Sequence, residues 1–227
     1  MSISRFLFSG SLMLLFALTL FSQSKPNFTR LDGKSDESAY RQMVEKIKGG
    51  DDTVDFVKFR AAYLEWSLDE CNVAESPDRD AFVAAYEAKE YEKALAKVDS
   101  VLDYEYANYN LHRAVANAYT TLGNAERAAF HTKIADKLID GLMASGDGKS
   151  AKTGYRVHSI REEYFVMRKL GYAVSSQALS MDKEYGVFDI LTGKDSSGKT
   201  GSFYFNITDV WVGSTSSKPC AAKKTTK

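Results

Sequence analysis

The stretch GKDSSGKTGSFYFNI, residues 193–207, decides between two folds. Its first eight residues match the phosphate-loop pattern G-x-x-x-x-G-K-[ST] letter for letter. A true phosphate loop leads from a buried parallel strand into a helix, whose N-terminal amides and dipole hold the phosphates. Here Phe203 and Phe205 alternate with Tyr204 and Asn206 after the loop, the period of a half-buried strand. Gly201 stands where the first helical turn would have to form, and too few residues follow Thr200 to complete a parallel nucleotide-binding sheet. Gly, Ser, Asp and Lys are the material of a hairpin loop. The stretch therefore reads as a turn between two antiparallel strands, with no nucleotide at Gly193–Thr200. The related GDGKS, 146–150, has Met143 where the first glycine should fall and fails as a pattern.

Working outward, YAVSSQALSM and YGVFDILT supply two more strands, and the last strand is read through GSFYFNITDVW. Before them, IREEYFVMRKLG predicts a helix with Ile160, Tyr164, Met167 and Leu170 on one stripe and Gly171 at its stop. TGYRVHSI, 153–160, can run as a strand. Residues 146–212 thus form a small β-α-β-β-β unit whose last three strands make an antiparallel meander.

Upstream, over residues 36–145, the period is helical. Tyr40, Met43, Val44 and Ile47 share one face and stop at Gly49-Gly50, and Val54, Val57, Ala61, Leu64 and Leu68 are read as the face of a second helix. The polar, proline-bearing NVAESPDR is a loop. Beyond it, Tyr91-Glu92-Lys93-Ala94 aligns with Ala125-Glu126-Arg127-Ala128 at an offset of 34 residues, the tetratricopeptide period. Ala116, Tyr119, Gly123, Ala128 and Ala135 fit that repeat in the second copy; the first has Lys89 where the turn glycine belongs. The fold class expected is α+β, a mostly helical N-terminal region with tetratricopeptide-like hairpins followed by the small α/β unit.

The chain begins MSISRFLFSGSLMLLFALTLFSQS: one basic residue, an apolar run and a small-x-small site, the order of a secretory signal peptide over 1–24. The apolar run is shorter than the ~20 residues a spanning helix needs, so no stable membrane anchor is expected after cleavage. Residues 25–35 read as a linker and 213–227, poor in apolar residues, as a disordered tail. The expected location is outside the cytoplasm, periplasmic or extracellular. Formal net charge is +0, which gives no electrostatic reason to bind nucleic acid. Cys71 and Cys220, the two cysteines, would be free to bridge in an oxidising compartment, but spacing alone leaves the bridge open.

No catalytic, cofactor or metal constellation stands out. Glu162-Glu163 could supply a general base, yet adjacent residues point to different helix faces and acidic first turns are common. His112 and His131 could face each other, but two histidines make no zinc site. No metal and no cofactor are expected. Asn110, Arg113 and Asn117, at i, i+3 and i+7 on the first helix of the better repeat, are the candidate partner-binding residues. In tetratricopeptide proteins that helix lines the concave face, and the last two match positions that hold a partner's carboxylate; a planar guanidinium beside an amide suits such a contact.

The linked order of YEKAL, LGNAERA, GDGKS, EEY, QAL and YFNI, over about residues 36–210, resembles a family of secreted bacterial proteins, domain of unknown function 4919. The resemblance implies an exported protein of a Gram-negative bacterium with helical repeats packed on a small α/β end. It brings no activity, cofactor or site residue. The function expected is therefore a protein–protein interaction module of the cell envelope, binding rather than catalysing. The alternative is an envelope hydrolase with a site at the helical/β junction, near Asp147, Glu163 and Gln177.

Overall fold

The structure, a computed structural model, describes residues 35–215 apart from 70, 73 and 74, and says nothing of the side chains of 212–215. The expected leader, the linker up to residue 34 and the tail beyond 215 lie outside the described residues. Among those described, nine helices precede and flank a four-stranded sheet, an α+β architecture with its helices mostly N-terminal.

Helix α1 (Ala39–Lys48) starts where the Ser38 side chain accepts from the Arg41 amide and buries Tyr40, Val44 and Ile47, the expected face. Helix α2 (Phe56–Ser67) is capped by Asp55, which accepts from the amides of Val57 and Lys58. Its buried face differs from the expected one. Phe56, Phe59, Arg60, Leu64 and Trp66 point inward, while Val57 and Leu68 are exposed. An arginine in the middle of the true stripe hid its phase, because Arg60 is buried against a carboxylate rather than solvated. Tyr40 packs on Phe59 (ring centroids 5.3 Å), Tyr63 and Trp66 at the centre of the helical core.

Helices α3 (Arg79–Glu87), α4 (Tyr91–Leu95) and α5 (Val98–Glu105) follow, then the hairpin of α6 (Tyr109–Thr121) and α7 (Ala125–Met143). The two helical turns at the 34-residue offset have the same geometry. Lys89 (φ 60°) and Gly123 (φ 77°) both adopt the left-handed conformation. The amides of Lys89 and Glu90 donate to the carbonyls of Tyr86 and Ala85, and those of Gly123 and Asn124 to Thr120 and Tyr119. This paired closure of a helix end is a Schellman motif. The partners diverge beyond the turn, since α4 is 5 residues long and α7 is 19. Gly141 brings α7 against α2, where a Cβ would lie 2.9 Å from the Phe56 carbonyl carbon and oxygen.

The C-terminal sheet has the order β1-β4-β3-β2. Strands β2 (Ala173–Asp182), β3 (Gly186–Lys194) and β4 (Thr200–Asn206) form the expected antiparallel meander, and β1 (Tyr155–Arg156) pairs parallel to β4. Residues 193–200 close a hairpin, the last two residues of β3 and the first of β4 flanking a turn at 195–199: Asp195 accepts from the amides of Ser197 and Lys199 and from the Ser197 hydroxyl, and Gly198 is left-handed at φ 83°. The loop thus turns its own carboxylate toward the amides that a phosphate would need. GDGKS docks on β4, with the Gly148 carbonyl accepting from the Tyr204 amide at 2.8 Å.

Three expectations in this region are corrected. Only two residues of 153–160 pair as a strand, because a 3-10 turn (Ala151–Thr153) precedes them and the chain enters helix α8 (Ile160–Lys169) just after. The buried face of α8 is Glu162, Glu163, Val166 and Met167, whereas Ile160 and Tyr164 are exposed. Two buried acids rotated the apparent stripe. The last strand ends at Asn206, not Trp211: the Asn206 side chain accepts from the Thr208 amide and turns the chain into α9 (Thr208–Thr215), so 213–215 are helical. Cys71 is disulfide-bonded; the other cysteine of the chain, Cys220, lies outside the described residues.

A left-handed non-glycine residue carries a steric cost of about 1–2 kcal/mol, partly offset by its lower chain entropy when unfolded. Lys89→Gly should therefore stabilise the protein by about 1 kcal/mol, read as a higher denaturant midpoint at unchanged m-value. An equal or lower midpoint would show that the turn is not strained.

Candidate functional site

A cleft of ≈ 1020 Å³ opens where the helical region meets the α/β unit. One wall is the end of α2 with Tyr63, Ser67 and Leu68, continued by Asp69 and Asn72. A second is the α5–α6 turn, Ala107 to Asn110, and the third is the start of α8, His158 to Glu162, with Val210 of α9 beside it. The Asn108 side chain fixes the second wall by capping α6, and Asn72 is held by donating to the Trp66 carbonyl at 2.7 Å.

The floor is a buried ion pair. Arg60 Nη1 and Nη2 donate to Glu162 Oε1 and Oε2 at 2.9 and 2.8 Å, a bidentate contact between α2 and α8. Glu162 Oε2 also accepts from the His158 amide at 2.7 Å, and Arg60 Nη2 reaches the Arg156 carbonyl at 3.4 Å. Burial works to raise the Glu162 carboxyl, but the Arg60 hydrogen bonds and the nearby positive charge outweigh it and hold it below the ordinary range. His158 shows part of its surface to the cleft, yet its ring is hemmed in beside Tyr63 (centroids 5.3 Å). Burial first, then the Arg60 charge, pulls its pKa down to about 3, so the imidazole is neutral. Tyr63 is pushed up to about 12 by burial and by the charges of Glu105 and Glu162. Neutral ring, phenol and amide groups therefore face the opening together with Asp69 and Arg161, and the Arg60 and Glu162 charges beneath it are paired.

The structure places the candidate residues as follows. Asn110, Arg113 and Asn117 form an exposed stripe on α6. Arg113 lies over the Tyr109 ring at 5.8 Å, Asn117 donates to the Tyr86 hydroxyl at 3.0 Å, and Asn110 also lines the cleft. Asp147 is exposed in the GDGKS loop, accepting from the Thr153 hydroxyl, an interaction that holds its carboxyl low. Gln177 is exposed on the edge strand β2, and Glu163 is fully buried between α8 and the sheet. None of these last three lines the cleft. The sequence reasoning missed Tyr63, Asp69, Asn72, Asn108 and His158; Arg60, within the apolar face of α2, was the one signal that could have led to them.

His112 and His131 do face each other, with Nδ1 to Nδ1 at 3.0 Å. His112 Nε2 lies 2.9 Å from the Tyr106 carbonyl and must donate to it, so its Nδ1 accepts from His131. Burial lowers both, to about 3 and about 4, with the neighbouring His131 adding to the effect on His112. Among the described residues no three His, Cys, Asp or Glu side chains gather as a metal ligand set. No described helix is long and apolar enough to cross a membrane.

Removing one partner of a buried pair leaves the other uncompensated, at about 3–5 kcal/mol, whereas replacing both with apolar groups is often near neutral. Arg60→Met should thus destabilise strongly, and adding Glu162→Leu should recover most of the loss in a double-mutant cycle of urea unfolding. The histidines give a separate expectation. Their folded pKa values are depressed, so their contribution is complete above about pH 6.5 and is lost as pH falls toward 4. The urea midpoint should drop between pH 7 and pH 5, with unfolding taking up protons.

No curated protein and no solved structure matches the chain. The family model described as Domain of unknown function (DUF4919) matches residues 29–212, most of the sequence and every element described above up to α9. The chain belongs to that family.

Proposed function

We propose that the protein is an exported binding module of the cell envelope that seats a protein partner across the junction cleft and the adjoining face of α6. The observation that carries this reading is the position of Asn110, which belongs both to the cleft wall and to the exposed Asn110–Arg113–Asn117 stripe. The two surfaces are therefore continuous. Arg113, stacked on Tyr109 and in no ion pair among the described residues, presents a guanidinium free to take a carboxylate. Tyr63, partly exposed on the cleft wall, offers an aromatic ring near the amides of Asn72, Asn108 and Asn110, a composition common at protein-binding surfaces. The tetratricopeptide period supports a helical-hairpin binding surface. Export is supported by the basic-apolar-small order of residues 1–24 and by a disulfide at Cys71, which suits an oxidising compartment.

The hydrolase alternative requires an acid and a nucleophile open to the same cavity. Glu163 is closed off, Asp147 is held in its own loop and Glu162 is committed to Arg60, while on the cleft wall Asp69 accepts from the Cys71 amide and Ser67 donates to the Leu64 carbonyl. That distribution favours binding.

The test is a cross-linked capture from envelope extract with three baits: wild type, Arg113→Ala/Asn117→Ala, and Asn110→Trp, which fills the cleft mouth. One partner held by wild type and weakened at least tenfold by both variants is the expected result. A partner held equally by all three overturns the assignment of this surface. Cell fractionation of a C-terminally tagged chain checks the location, and retention in the cytoplasm would overturn it.

A further inference from the structure

Glu163 is 0 % exposed, and neither of its carboxyl oxygens has a hydrogen-bond donor. The group it meets is a second acid, Asp189 of β3, itself only 7 % exposed. Among the described residues no cation is paired with Glu163, whose neighbourhood is set by burial and by Asp189. Strand β2 carries no ionisable side chain before Asp182. Strand β4 contributes Phe203 and Phe205 to the α8 interface, while Tyr204 packs on Phe188. Strand β1 brings Tyr155, which packs on the ring of Phe205, and Arg156, which is taken by Asp209 of α9 at 2.6 Å. From the helical side come Leu142 of α7 and Tyr109 of α6, the latter against Phe165. On α8 itself Glu162 is bound to Arg60, and Arg161, Arg168 and Lys169 are exposed.

Two buried carboxylates in contact repel each other, and Glu163 in addition lacks a hydrogen-bond donor. One proton removes both defects: it neutralises one acid and supplies the missing donor to the other. We propose that Glu163 and Asp189 share a proton that latches α8 to the sheet, and that losing it at alkaline pH loosens this helix. Burial first, and then the Asp189 charge, pushes Glu163 up to about 8, consistent with a proton held through neutrality. The folded chain then holds a proton that the unfolded chain releases above its ordinary value of 4.5. The latch's contribution is complete below that value and is lost as pH rises through about 8. Ile160, Arg161 and Glu162 of the same helix line the cleft, so loosening α8 moves a wall of the candidate binding site. The latch stands whether or not the proposed function holds.

The experiment uses protein labelled with carbon-13 at glutamate carboxyls, titrated from pH 4 to 10 by NMR, with amide exchange of α8 followed in parallel. The Glu163 carboxyl should titrate near pH 8, its midpoint should fall in Asp189→Asn, and α8 protection, corrected for intrinsic exchange rates, should drop at least tenfold above pH 8. Glu163→Gln, which keeps a donor for Asp189, should lose the alkaline drop. Between pH 5 and 8 its folding equilibrium should gain on wild type by up to tenfold per pH unit, about 1.4 kcal/mol. This difference curve cancels the histidines, which are common to both. A Glu163 carboxyl titrating near 4.5 overturns the shared proton. Titration near 8 with α8 protection unchanged overturns the latch. If Glu163→Gln does not fold, wild type and Asp189→Asn still decide both points.

Discussion

The arginine–glutamate pair between α2 and α8 is the constraint on which the junction depends. A bidentate ion pair is directional as well as attractive, so it fixes the distance and the twist between a helix of the N-terminal core and the helix that covers the sheet. It also binds the segment between β1 and α8, through the His158 amide and the Arg156 carbonyl. Without it, the cleft would have no defined floor. Buried pairs of this kind are modest contributors to stability but good determinants of geometry.

Adjacent glutamates on α8 do opposite things because neighbours on a helix are turned about 100° apart. Glu162 faces a guanidinium and is held ionised below the ordinary range. Glu163, one residue on, faces a carboxylate and is pushed the other way. The helix thus carries a fixed charge toward the helical core and a protonatable group toward the sheet. The environment, and not the residue type, assigns the two roles.

Much of the architecture was legible in the residues. Alternation after Gly201 and the polar turn at Asp195–Lys199 were enough to reject a phosphate loop, because a strand and a helix impose incompatible periods. The face of α1 was legible because it is wholly apolar. The faces of α2 and α8 were misread for one reason: Arg60, Glu162 and Glu163 are charged residues on buried stripes, and a hydrophobic period places such residues outside. Helix α9 was hidden because alternation persists past Asn206, and only the side-chain turn at Asn206–Thr208 ends the strand. The cleft was illegible because its lining comes from four separated segments, and its most telling residue, His158, has no pattern around it. Asn110 was reached through the helical repeat, for a surface that extends beyond that repeat.

The long helix α7 bears on how the molecule can come apart. Leu138 and Ile139 belong to the helical core, and Leu142, one turn on, to the core under the sheet. The boundary at residues 145–146, drawn from composition and period, is thus crossed by a side chain of α7, Leu142, which packs with the residues beyond it. Cutting there would leave the C-terminal piece without a wall of its own core and the N-terminal piece with a bare leucine at its end.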